Sequence, residues 1–165
     1  MKPETRPSRP EMSMRNAEVP RAASPVLAFF VPGIPLSKGS PSILRPRGLG
    51  RPILREKPTV VSWQKTIEVM AYGAACRADF RPLDAPTYVE LIFLLPRKKS
   101  ARPDAGAMEL AAVRPDLDKL IRAALDAMQG IAYVEDSRVT TIRACKRAAF
   151  DRNKTGVRIT VRRDS

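Results

Sequence analysis

Apolar and polar positions along this chain follow two rhythms, separated by stretches with neither. VLAFFVPG, residues 26–33, is a short apolar run stopped by Pro32-Gly33, which predicts a first strand. From about Thr59 to Ala78 the period becomes threes and fours. Val60, Trp63, Ile67, Met70, Ala71 and Ala74 then share one face of a core-packing helix. Pro82 and Pro86 break the chain before TYVELIFLL, 87–95, a run of β-formers. Its near-continuous apolar end predicts a central strand. A second helical stripe, Leu117, Leu120, Ile121, Ala124, Leu125 and Met128, predicts a helix over 117–129 with Gly130 as its stop.

Two strands close the chain. RVTTIRACKRA, 138–148, leads through the polar turn DRNKTG into VRITVR, 157–162. In the latter, Val157, Ile159 and Val161 alternate with Arg158, Thr160 and Arg162, as in a half-buried strand of an antiparallel pair, here a closing hairpin. The order β, loop, α, β, α, β, β predicts a single α+β domain, a mixed sheet packed by two main helices. There is no internal repeat.

The aperiodic stretches carry their own information. Residues 1–24 are rich in Pro, Arg and Glu and predict a disordered tail, leaving 25–165 as the folded domain. Residues 34–58, IPLSKGSPSILRPRGLGRPILREKP, predict a long irregular loop with Lys38, Arg45, Arg47, Arg51, Arg55 and Lys57 against a single acid, Glu56. It is either a solvated connection or a phosphate-contacting loop, and the charge imbalance favours phosphate. Residues 96–109 form a polar, basic connection.

Composition sharpens the partner. Across 165 residues, 30 Lys and Arg face 17 Asp and Glu, a formal charge of +13. Such a surface attracts a polyanion and gains by releasing its condensed counterions. The longest apolar run, VELIFLL at 89–95, contains Glu90 and is too short to span a bilayer, so no membrane role is expected. The N-terminus has no secretory pattern. Cys76 and Cys145 stand far apart, which predicts buried thiols in a reducing cytoplasm. The chain contains no histidine, which excludes Ser-His-Asp and Cys-His catalysis and the usual zinc hydrolase sites.

Against this basic background, RPDLDKLIRAALDAMQGIAYVEDSRV, 114–139, gathers Asp116, Asp118, Asp126, Glu135 and Asp136. Each has an ordinary explanation. Asp116 sits where an N-cap belongs, Asp118 meets the positive end of the helix dipole and is spaced for a pair with Arg122, and Asp136 suits a turn. Together they suggest something else. Asp116 and Asp118 share a helix start, and the chain returns toward the sheet at Asp136. Carboxylates converging there would repel one another unless a hard divalent cation such as Mg²⁺ bridged them. In a phosphate-seeking protein that combination points to metal-assisted phosphodiester hydrolysis.

The same segment resembles the signature of the RusA family of Holliday-junction resolvases: a Pro-Asp-x-Asp-Asn start, a short helix ending near Leu-Asp-Ala-Leu, and an acidic pair before a strand. FFVPGIPLSKGSPSIL, 29–44, is similar to the family's opening strand and basic loop, and the likeness extends over roughly 26–162. It implies a Mg²⁺-dependent endodeoxyribonuclease (Mn²⁺ a plausible substitute) without an organic cofactor, cutting branched DNA as a two-fold homodimer. By resemblance Asp116, Asp118 and Asp136 hold the metal, while Arg122, where the family carries a lysine, and Lys146 complete the catalytic set. Lys119 replaces the motif's Asn. Lys38, Arg45, Arg47, Arg51, Arg114 and Lys119 form the expected DNA-contacting set. Two rivals stay open: a non-catalytic nucleic-acid-binding protein whose acids only cap helices, and a metal nuclease acting on flaps or plain duplex.

Overall fold

A computed structural model describes residues 26–38, 42–44, 53–55, 58–97, 110–149, 151 and 154–164. The elements are strands β1 (Val26–Pro32), β2 (Ser42–Leu44) and β3 (Ile53–Arg55), helix α1 (Pro58–Arg77), strand β4 (Thr87–Leu95), helix α2 (Leu117–Met128), and strands β5 (Val139–Ala148) and β6 (Gly156–Arg163). The main sheet has the order β1-β6-β4-β5. β6 runs antiparallel to both β1 and β4, and β5 runs parallel to β4, so the sheet is mixed as the pattern predicts.

β4 is an interior strand, with Val89, Leu91 and Phe93 fully buried and Leu94 and Leu95 nearly so. Around it the core gathers Leu27 and Val31 of β1, Val157, Ile159 and Val161 of β6, and the inward stripes of both helices. α1 contributes Trp63, Ile67 and Ala74, and α2 contributes Leu120, Ala124 and Met128. A helix with one apolar stripe must bury it against the sheet, which fixes which face of α2 looks outward.

Three expectations need correction. The last two strands do not form a hairpin, because β4 lies between β5 and β6. A strand apolar on alternating and then successive positions demands ladder partners on both sides, and β4 takes β6 on one and β5 on the other. Parallel pairing of β4 with β5 then needs a crossover, which α2 supplies. Within the stretch expected to be an irregular loop, β2 and β3 pair antiparallel, Ser42 opposite Arg55 and Leu44 opposite Ile53. Cys76 is exposed rather than buried, since it falls on the outer side of α1, and Cys145 is half-buried; both are free thiols.

The tail at 1–24 and loop residues Arg45, Arg47 and Arg51 lie outside the described residues. Among the described residues no helix is long and apolar enough to cross a membrane.

Candidate active site

The crossover from β4 to β5 carries every acid of the motif, and two sets of contacts place its ends. On the way in, Ala111 donates its backbone N–H to the Lys146 carbonyl at 2.9 Å, and Leu110 bridges Arg147. The segment before α2 thus lies along the free edge of β5. The Lys146 ammonium then donates to the carbonyls of Val113 and Pro115 at 2.7 and 2.9 Å. An ammonium bound to two carbonyls fixes that turn, whose Arg114–Pro115 peptide is cis. Asp116 follows as the N-cap of α2, with extended backbone and its carbonyl accepting from Leu120 N–H.

On the way out, Gly130 adopts φ 77°, a left-handed conformation that ends the helix at low cost for glycine alone. Tyr133 turns back into the core, fully buried, and its hydroxyl donates to the Leu125 carbonyl at 2.8 Å. Burial holds that phenol un-ionised, with its pKa raised. Leu83 donates its backbone N–H to the Ala132 carbonyl and accepts from Val134 N–H, so the return segment is pinned from outside the helix as well. Asp136 opens the short 3-10 turn that leads into β5.

Two charge clusters result. At the N-terminal end, the Lys119 ammonium contacts Asp116 Oδ2 at 2.7 Å, and both side chains are exposed. The hydrogen bond from Lys119, and then its charge, hold the Asp116 carboxyl below the usual range, with smaller help from Arg114 and Lys146. The same partnership raises the Lys119 pKa. At the C-terminal end, Lys38 reaches across from the segment after β1 and pairs with Asp126. Asp136 belongs to this cluster. Its carboxyl is pushed up by partial burial and then by the negative charge of Asp126, an effect Lys38 partly offsets.

Between the ends, Asp118 and Arg122 are exposed. Steps of four residues place Asp118, Arg122 and Asp126 in a row along the helix. A cleft of about 570 Å³ opens beside the N-terminal end, walled by Ile34, Pro35, Leu36 and Ser37 and by Arg114, Pro115, Asp116 and Lys119. Gly33, at φ 121°, sets that first wall, and a Cβ there would meet the Trp63 ring at 3.2 Å.

The expected three-carboxylate cluster is not drawn together here: among the described residues, no three His, Cys, Asp or Glu side chains stand close enough to hold a metal ion. Asp116 faces Lys119, while Asp136 faces Asp126. The donors are all carboxylate oxygens, the chemistry a hard divalent cation takes, and a lysine ammonium already stands at one of the three, Asp116. Lys38, expected on DNA, is engaged with Asp126, and Lys146, expected at the chemistry, binds backbone carbonyls. Asp126 is the participant that sequence reasoning left without a role. Its signal was its place four residues after Arg122 and eight after Asp118, on the same flank.

The sequence profile of the family described as Endodeoxyribonuclease RusA matches residues 32–162, most of the chain and all of the segment just described. No curated protein matches it.

Proposed function

Because this chain belongs to the RusA family of endodeoxyribonucleases, we propose that it resolves four-way DNA junctions by paired, symmetric phosphodiester cleavage supported by Mg²⁺, with Mn²⁺ as a substitute. Asp116, Asp118 and Asp136 would hold the ion. When bound, such an ion supplies an activated water and charge stabilisation at the scissile phosphate. Lys119 guards Asp116 in its absence, and their exposed pair is weak enough to exchange for a stronger cation. Arg122 keeps its proton at any working pH, so its role is to stabilise charge on the phosphate rather than to shuttle protons. Lys146 holds the backbone that presents Asp116.

What supports this reading is the N-terminal end of α2, where Asp116, Arg114 and Lys119 line a cleft and Asp118 and Arg122 stand exposed on the same helix. Arg114 and the loop cations Arg45, Arg47 and Arg51 would track the DNA backbone there. Two coordinated cuts require two active sites related by a two-fold axis, so the working unit would be a homodimer acting on cytoplasmic DNA. Residues 25–165 would form the nuclease domain and 1–24 a dispensable tail.

The test compares a four-way junction with a linear duplex of the same sequence, with and without divalent cation. Paired nicks confined to the junction and dependent on the ion are expected. Equal cleavage of the duplex would reassign the protein as a general nuclease, and binding without cleavage would make it a non-catalytic DNA-binding protein.

A further inference from the structure

Lys38 sits at the root of the basic loop, and its two ends are both fixed on α2. Its backbone N–H donates to the Lys119 carbonyl at 3.0 Å, and its ammonium reaches along the helix flank to Asp126. The two side chains keep only 28% and 30% exposure, so the pair is more sheltered than Lys119–Asp116, at 46% and 56%. A lysine held in this way is poorly placed to neutralise a phosphate. We propose that Lys38 and Asp126 form a positioning strut that docks the root of the basic loop on the acid-bearing helix, so that Lys38 supports DNA binding through Asp126 rather than by touching DNA.

The chain leaves the sheet at Gly33 and forms the cleft wall over 34–37, just before Lys38. Beyond it lie the arginines that would meet the phosphates. Fixing Lys38 at two points on α2 ties the segment that leaves β1 to the helix that carries Asp118 and Arg122.

This inference rests on the proposed junction binding, and the experiment separates the two. Full-length wild type, Lys38→Met, Asp126→Asn, the double variant and the exchanged pair Lys38→Asp/Asp126→Lys are titrated with a four-way junction, without divalent cation, over a range of salt. Salt-dependent binding by wild type tests the underlying reading by itself. For the strut, each single variant should lose affinity by roughly fivefold, and the double variant should lose no more, because residues in one ion pair are not additive. The slope of log K against log salt should stay at the wild-type value for all of them.

A direct phosphate contact gives a different pattern. Lys38→Met alone would then flatten the slope by about 0.9, while Asp126→Asn would leave affinity unchanged or improve it by freeing the lysine. That pattern overturns the proposal, as does additive loss in the double variant. The exchanged pair should regain part of the lost affinity. If it fails to fold, amide hydrogen exchange at Lys38 in Asp126→Asn decides instead: faster exchange supports the strut, and unchanged protection overturns it.

Discussion

At the N-terminal end of α2 a carboxylate is held by a lysine three residues away in the same helix. At the C-terminal end Asp126 is held by a lysine 88 residues away in sequence. The Asp116–Lys119 pair is exposed, is set by helical spacing alone and exchanges readily with solvent ions. The Lys38–Asp126 pair exists only because β1 and its following segment lie against α2. An acid at the first end is therefore available to an incoming cation once a flexible side chain swings aside. Asp126, at the second end, is tied into the scaffold through Lys38. The difference is between a local pair that solvent ions can replace at Asp116 and a tertiary pair that fixes Lys38 to the last turn of α2.

The sharpest way to break this comparison is to remove an acid from the exchanging end. Asp118→Asn preserves shape and helix and should lower nicking by about 100-fold or more, on the scale of losing one preorganised charge at a reacting phosphate. Junction binding and melting temperature should hold. Undiminished cleavage at saturating Mg²⁺ would return Asp118 to a simple helix-dipole role.

Lys146→Met should come next in size. It leaves the Val113 and Pro115 carbonyls without their ammonium donor, at a cost of about 2 kcal/mol, typical of a lost charged hydrogen bond. In a chain of this length that corresponds to a fall of roughly 4–8 °C in melting temperature. With Asp116 no longer held, the Mg²⁺ midpoint for nicking should rise while junction affinity changes little. A loss of junction affinity with unchanged stability would mean that Lys146 meets DNA after all.

Asp136→Asn should move two readouts in opposite directions. The Asp136 carboxyl is raised, so its ionised form at neutral pH subtracts from stability. The penalty is absent at acid pH, where folded and unfolded chains are both protonated, grows as pH rises from the unfolded toward the folded pKa, and is complete above it. Without metal, the amide should therefore raise the neutral-pH melting temperature slightly, an effect kept small because solvent screens an exposed carboxylate. The advantage should vanish toward pH 3. The stabilisation that Mg²⁺ gives wild type should shrink in the variant, because a ligand that binds only the folded site contributes through that site. An equal Mg²⁺ shift in both proteins would place Asp136 outside the metal site.

The smallest expected change is Lys119→Asn, which restores the residue the family motif carries and frees Asp116 from its partner. The Mg²⁺ midpoint should fall by roughly two- to threefold, in keeping with the weakness of exposed pairs. A midpoint that rises would show Lys119 to be a needed contact to the DNA.

Period and punctuation in the sequence were enough for the α+β class, both helices, the interior position of β4, and Gly130 as the stop of α2, because burial demands apolar stripes at helical or strand spacing and chain breaks demand special residues. The acidic motif was legible for the same local reason: Asp116, Asp118 and Arg122 are positioned by the first turns of one helix. Partners were not legible. VRITVR reads as half of a hairpin because alternation reveals a half-buried strand but not its neighbours, and only the assembled sheet put β4 between β5 and β6. The repulsion expected at Asp136 from Asp116 and Asp118 comes instead from Asp126. Lys38 likewise looks like one more loop cation until the fold lays it on Asp126. Local spacing governs contacts within a turn or two of chain, whereas an ion pair spanning 88 residues depends on how β1 and α2 pack, which no single segment encodes.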